Sequence, residues 1–211
     1  FMREEGKPVE DRQPHDCYAL PAEELAALQQ KARKLGLWCL AAPAEHGGGG
    51  LSLMGQVVVA EEAARCRMGA YVPACGAFGI DPPSVIWLGT PRPIERYGRP
   101  GIAKGTKCYV AISEATGGAD PARSIRTRAV RKGDRYVING TKMWITAAGN
   151  ADWGLVFART GEAGSRGGIT CFIVDRGVAG LTMKPIPVIR SYSPYELNFV
   201  DVEVPAENRL G

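Results

Sequence analysis

Arg135-Tyr-Val-Ile-Asn139-Gly140-Thr-Lys142-Met-Trp144-Ile145-Thr146 is the stretch that decides the fold. Asn139-Gly140 sits between apolar, β-branched runs. That pattern predicts a β-hairpin, because a type I′ turn needs positive φ at both central residues. A second turn, Lys132-Gly133-Asp134, lies between Ala129-Val130 and Tyr136-Val137. Residues 125–146 therefore read as a three-stranded antiparallel meander. On the last strand Trp144 and Thr146 fall on one face, since side chains alternate with period two.

An indole beside a hydroxyl two residues on can support a planar heterocycle and hydrogen-bond its edge. Just upstream runs Val110-Ala-Ile112-Ser113-Glu114-Ala-Thr-Gly117-Gly118-Ala119-Asp120. Ser113 offers a second hydroxyl. The glycines let backbone N–H groups approach a phosphate closely. Each piece alone has an ordinary reading: a strand tryptophan is usually core and Gly-Gly is usually a loop.

Outward from this stretch the chain divides by pattern. Residues 1–20 are polar and broken by prolines. Pro21-Ala-Glu-Glu opens a helix, with proline in the first turn and acids at the positive end of the dipole. Leu25, Leu28, Ala32 and Leu35 form its apolar stripe, and Gly36 is its stop. Four glycines, Gly47 to Gly50, invite a phosphate-loop reading, but no Gly-Lys-Ser/Thr follows and no βαβ unit surrounds them. Ser52 is placed to cap a helix from Leu53 to about Arg67, with Leu53, Val57 and Ala60 or Glu61 along one flank. A further helix is expected near Pro83–Leu88, and a loop from Gly98 to Lys107. Beyond the meander come strands at 153–159, 169–174 and 197–205. An extended run at 181–189, broken by Pro185 and Pro187, suits a sheet edge. Many short strands with turn signals suggest a small barrel or sandwich. The fold class is α+β: an all-α domain over residues 1–107, then an antiparallel β-barrel or sandwich domain over 108–211.

The 211 residues are 45% hydrophobic and 23% charged, an ordinary globular balance. The net charge of +4 is scattered, with no nucleic-acid patch. No apolar run is long enough to span a bilayer, and the opening residues are too polar for a signal peptide. Six cysteines lack Cys-x-x-Cys spacing and read as buried free thiols, suiting a reducing compartment: the cytoplasm, or the mitochondrial matrix in a eukaryote. His15 and His46 belong to no metal motif, so no metal is expected.

The two stretches together resemble the middle domain of the acyl-CoA dehydrogenases. One signature of that family, Thr-Glu-Pro through Gly-Ser-Asp, is matched by Ser113-Glu114-Ala-Thr-Gly117-Gly118-Ala119-Asp120. The other, Asn-Gly-x-Lys-x-Trp-Ile-Thr, is matched by Asn139, Gly140, Lys142, Trp144, Ile145 and Thr146. The Pro43-to-Gly48 turn, Gly89-Thr90 with Tyr97, and Val202-to-Pro205 also resemble family segments, so the likeness runs from about Pro21 to Gly211. The resemblance implies FAD as cofactor and α,β-desaturation of an acyl-CoA, with a base taking the α-proton and hydride passing to flavin N5. It implies that Thr146 bonds near N5, that Trp144 covers one flavin face, and that Ser113 bonds the pyrimidine edge. Val110, Ile112, Gly118, Ala119 and Ile145 would line the cofactor, and Ala119 and Arg166 would lie toward the acyl-CoA. General chemistry alone favours a solvated loop arginine for Arg166.

In the family a C-terminal helical bundle carries the catalytic base, so no residue here is expected to be catalytic; Glu114 reads as a structural acid. Electron-transfer flavoprotein is the implied acceptor, and a homodimer or homotetramer the implied assembly. Ala119 stands where serine is usual, and Ala115-Thr116 where Pro-Gly is usual. A related acyl-CoA oxidase or flavin monooxygenase, or a catalytically silent partner subunit, are the alternatives.

Overall fold

The computed structural model describes residues 1–15, 17, 19–66, 73–117, 119–162, 167–189 and 193–210. Contacts divide the chain into two units, Phe1–Thr106 and Lys107–Gly211.

The first unit is helical. A π-helical turn, Met2–Gly6, leads into α1 (Lys7–Asp11), and α2 spans Ala22–Lys34. Pro21 precedes α2, Glu23 and Glu24 occupy its first turn, and Lys31, Arg33 and Lys34 its last, complementing the macrodipole at both ends. Leu28 and Ala32 are buried, but Leu35 is exposed: the chain turns away just after α2, so the expected stripe is one residue shorter. The four-glycine segment is a packed turn, where a Cβ on Gly48 would lie 2.3 Å from the Ala42 carbonyl oxygen. Ser52 caps α3 (Leu53–Ala63), its hydroxyl accepting from the Gly55 N–H at 3.3 Å.

Two further expectations fail in this unit. Leu53 and Val57 are exposed, at 77% and 55%, and the buried residue of α3 is Ala63. The expected loop from residue 98 onward is helical to Lys104. α4 (Pro91–Pro93), a π-helical turn (Ile94–Gly98) and α5 (Arg99–Lys104) follow one another with helical dihedrals at Ile94, Gly98 and Arg99. Pro100 lies in the first turn of α5, where a missing N–H is tolerated. Trp38 fastens this segment, donating Nε1–H to the Ile102 carbonyl at 2.8 Å with the Arg33 guanidinium stacked 3.5 Å over its ring.

The second unit is a sheet. Its strands are β1 (Cys108–Ala111), β2 (Arg128–Lys132), β3 (Arg135–Ile145), β4 (Trp153–Arg159), β5 (Ile169–Asp175), β6 (Leu181–Pro185), β7 (Tyr195–Pro205) and β8 (Arg209–Leu210), with a helical turn, α6 (Pro121–Ser124), between β1 and β2. The order is β6-β7-β3-β2-β4-β5-β8, with β1 on β4, so β6 does lie at an edge. β1 pairs with β4 in parallel, and so does β2 at Arg128 and Arg159. The sheet is therefore mixed rather than wholly antiparallel. One core gathers Tyr109, Ala111, Ile138, Ile145, Val156, Phe172, Leu197, Phe199 and Val202 from five of the strands.

The Asn139-Gly140 turn does not exist. β3 runs straight through it, paired to β2 from Lys132↔Arg135 to Arg128↔Asn139 and to β7 from Arg135↔Pro205 to Lys142↔Leu197. The meander is a two-stranded hairpin turning at Gly133 (φ 64). Asn139-Gly140 serves a bulge in register between Ile138 and Gly140. Asn139 Nδ2 donates to Asp201 Oδ1 at 3.0 Å, and the Asp201 N–H donates back to Asn139 Oδ1 at 2.9 Å, holding Asp201 at φ 50. Gly140 (φ 146) is required by close approach, since a Cβ there would sit 2.6 Å from Thr127 Oγ1 and 2.7 Å from Thr127 Cα.

Candidate functional site

Beyond β1 the chain reaches the C-terminal end of β3. Residues 112–114 lie against it through three links. The Met143 N–H donates to the Ser113 carbonyl at 2.9 Å. Lys142 Nζ donates to the Ile112 carbonyl and to Glu114 Oε1, both at 2.9 Å. The structure thus brings the two signature stretches together.

At this junction the strand geometry breaks. The β3–β7 register shifts between Lys142 and Ile145, and Trp144 takes a left-handed backbone (φ 63). Its side chain is 55% exposed, on the opposite side from buried Ile145. Thr146 is also exposed, in the turn just after β3. The outward tryptophan comes from a bulge rather than from simple strand alternation, since Lys142 and Ile145 are both buried. Ser113 and Ile112 are half-buried and Val110 is exposed. Among the described residues neither the Ser113 nor the Thr146 hydroxyl has a hydrogen-bond partner. An open indole with two unengaged alcohols suits a planar heterocycle with a polar edge.

Not every expected residue joins this set. The Ile145 side chain is in the core, so only its main chain is left for a ligand. Ala119 is exposed, one residue before Asp120, whose carboxylate caps α6 by accepting from the Arg123 N–H at 3.3 Å. Gly118 and Arg166 lie outside the described residues.

Glu114 is held from all sides. Oε1 accepts from the Thr127 N–H at 3.0 Å, the Thr127 hydroxyl at 2.6 Å and Lys142; Oε2 accepts from the Arg126 N–H at 2.8 Å. Burial pushes its carboxyl up, but the bonds from Thr127, Lys142 and Arg126 outweigh burial and hold it below the ordinary 4.5. An engaged, ionised carboxylate has no lone pair aimed at a substrate, which fits the reading of Glu114 as a structural acid. Lys142 is wholly buried, and burial draws its ammonium below 10.5, with Glu114 opposing. Lys142 belongs to the second signature, where its residue type alone discloses no role. A lysine at a strand position two residues from an exposed tryptophan reads as solvated, and its acid partner lies 28 residues away.

The cysteines are free. In the helical unit Glu10, Cys66 and Cys75 place ligand atoms within 4.8 Å of one another. Burial pushes both thiols up, which favours the thiol hydrogen bond from Cys75 Sγ to Glu10 Oε1 over thiolate ligation of a metal. Among the described residues no helix is long and apolar enough to cross a membrane.

The acyl-CoA dehydrogenase middle domain matches residues 109–202, and the acyl-CoA dehydrogenase N-terminal domain matches residues 1–106. The chain belongs to the acyl-CoA dehydrogenase family. It is 36% identical over 203 residues to cyclohex-1-ene-1-carbonyl-CoA dehydrogenase of Geobacter metallireducens, covering 92% of this chain and 52% of that protein. It is 35% identical over 184 residues to mitochondrial isovaleryl-CoA dehydrogenase of Pongo abelii, covering 84% and 43%. Among solved structures, a probable acyl-CoA dehydrogenase from Mycobacterium abscessus superposes with a TM-score of 0.76 at 31% identity, over 100% of this chain and 57% of that one. Butyryl-CoA dehydrogenase from Megasphaera elsdenii gives 0.75 at 27%, over 99% and 55%. The chain spans about half the length of these acyl-CoA dehydrogenases.

Proposed function

We propose that this chain carries the flavin-binding part of an FAD-dependent acyl-CoA dehydrogenase. The observation that carries the reading is the junction of the two signatures: Trp144 turned outward beside Ser113 and Thr146, on a backbone conformation that L-residues avoid. A left-handed tryptophan with an exposed ring costs stability, and such strain gathers at binding sites. FAD held there would supply the hydride acceptor for the β-hydrogen of an acyl-CoA, the α-proton going to a base. In this reading Trp144 covers one face of the ring, and the Ser113 and Thr146 hydroxyls bond its polar edge and the region of N5. By the family resemblance, main-chain groups of Val110, Ile112, Ala119 and Ile145 would line the cofactor and Ala119 would face the acyl-CoA; Gly118 and Arg166, given the same roles by that resemblance, lie outside the described residues. Glu114, fully engaged, is not the base; in this reading the base comes from the helical bundle that carries it in the family.

Electron-transfer flavoprotein is the acceptor in this reading. The likeness to the caffeyl-CoA reductase-Etf complex subunit CarC of Acetobacterium woodii, 33% identical over 184 residues and covering 86% of this chain and 48% of that protein, supports the pairing. The full protein would act as a homodimer or homotetramer in the cytoplasm or mitochondrial matrix. The test is FAD titration of the purified protein, followed by anaerobic addition of short, branched and alicyclic acyl-CoA thioesters. Bleaching of the flavin band supports the dehydrogenase. Bound flavin that no thioester bleaches fits a flavin-binding part acting without its base, and a colourless protein that binds no flavin overturns the reading in favour of a silent partner subunit.

A further inference from the structure

Lysine is seldom fully buried unless paired, and Lys142 has no exposed surface. Methionine or leucine would fill the same slot without removing an ammonium from water. What the ammonium adds lies in its bonds. At this point both regular ladders of β3 have ended: β2 has turned away after Asn139, and the β7 register breaks after Lys142. Residues 112–114 are tied to β3 by one main-chain bond among those described, Met143 to Ser113. Lys142 Nζ supplies two more links, to the residue before Ser113 and to the residue after it. Through Glu114 the same network reaches the N–H groups of Arg126 and Thr127, just before β2. Ser113 is therefore held between two residues anchored by one ammonium, and Trp144 stands two residues beyond that lysine on the same chain.

We propose that Lys142 is a positioning residue of the flavin site: its buried ammonium, bridging the Ile112 carbonyl and the Glu114 carboxylate, sets Ser113 relative to Trp144 and Thr146. The inference rests on the reading that FAD binds at this junction. Lys142 touches no cofactor itself. Its removal moves the two alcohols and the indole out of mutual register, so ring stacking and edge hydrogen bonding can no longer be made together.

The experiment is FAD titration of wild-type protein, Lys142→Met, Glu114→Gln and the surface control Lys132→Met. Flavin fluorescence gives the dissociation constant, visible circular dichroism reports the asymmetry around the bound ring, and far-UV dichroism with a thermal melt establishes folding. Lys142→Met keeps the aliphatic stem; Glu114→Gln keeps the shape of the partner, so the pair can be read even if the lysine variant fails to fold. The proposal expects each folded pair variant to bind FAD at least tenfold more weakly and with a changed visible dichroism, while Lys132→Met behaves as wild type. A folded Lys142→Met or Glu114→Gln with wild-type affinity and dichroism overturns it. Wild-type protein that binds no FAD overturns the flavin reading instead, which keeps the two failures separate.

Discussion

The two halves of β3 are built differently. Over residues 135–139 the strand has a neighbour on each side, β2 and β7, and its buried side chains Tyr136, Val137 and Ile138 are apolar. Over residues 140–145 it loses β2, then after Lys142 the register with β7, and side-chain links add to what remains of the ladder: Thr141 to Asn198 and Lys142 to Glu114. A ladder places a backbone but frees no surface. Where it runs out, side-chain bonds hold the chain and the backbone can turn Trp144 outward. One half builds the sheet and the other presents the site.

Substitutions in the two halves can break that contrast. The largest effect is expected at Glu114→Ala, which leaves the Lys142 ammonium buried without its acid partner and costs about 3–5 kcal/mol in a urea melt. A loss under ~1 kcal/mol would mean the pair does little to hold the junction. Next comes Gly140→Ala. Its new Cβ meets the Thr127 main chain at 2.7 Å on a backbone of positive φ, and overpacking of this kind costs about 1–3 kcal/mol. Ile138→Val, in the laddered half, deletes one core methyl group and should cost about 0.5–1.5 kcal/mol without changing FAD affinity. Weakened FAD binding in that variant would erase the distinction between the halves. The smallest change in stability belongs to Trp144→Ala, within about 0.5 kcal/mol because the ring is largely solvated; its effect should appear in FAD affinity.

Acid sharpens the comparison further. The Glu114 carboxyl lies below its ordinary 4.5 in the folded chain, so its contribution is complete above pH 4.5 and is lost as pH falls through the folded value. Lys142, drawn below 10.5, acts in the opposite sense at the alkaline end: the cost of its buried charge is relieved as pH rises through the folded value toward 10.5. Urea midpoints measured from pH 7 down to pH 3 should fall for wild type, and less steeply for Glu114→Gln. Parallel slopes would remove Glu114 from the acid response.

How much of this the sequence disclosed depends on what each residue answers to. Pro21 and Gly36 bound α2 through local backbone chemistry, and Gly133 turns the hairpin for the same reason, so both were legible. Pro100 was not: a proline marks a break unless it falls in a first turn, and that depends on the π-helical turn before it. Asn139-Gly140 shows the limit most clearly. Its dipeptide chemistry spells a turn, yet the glycine answers to Thr127 and the asparagine to Asp201, 62 residues away. At the site, Ser113, Trp144 and Thr146 were legible as residue types. The buried Lys142 that joins them was hidden because its partners come from another strand's exit.

A structure of the protein crystallised with FAD tests the central claim most directly. The account predicts the isoalloxazine ring against the Trp144 indole, with its polar edge within hydrogen-bond distance of the Ser113 and Thr146 hydroxyls and the Lys142–Glu114 pair intact beneath. A ring bound elsewhere, or Trp144 folded into the core with FAD absent from this junction, would contradict it.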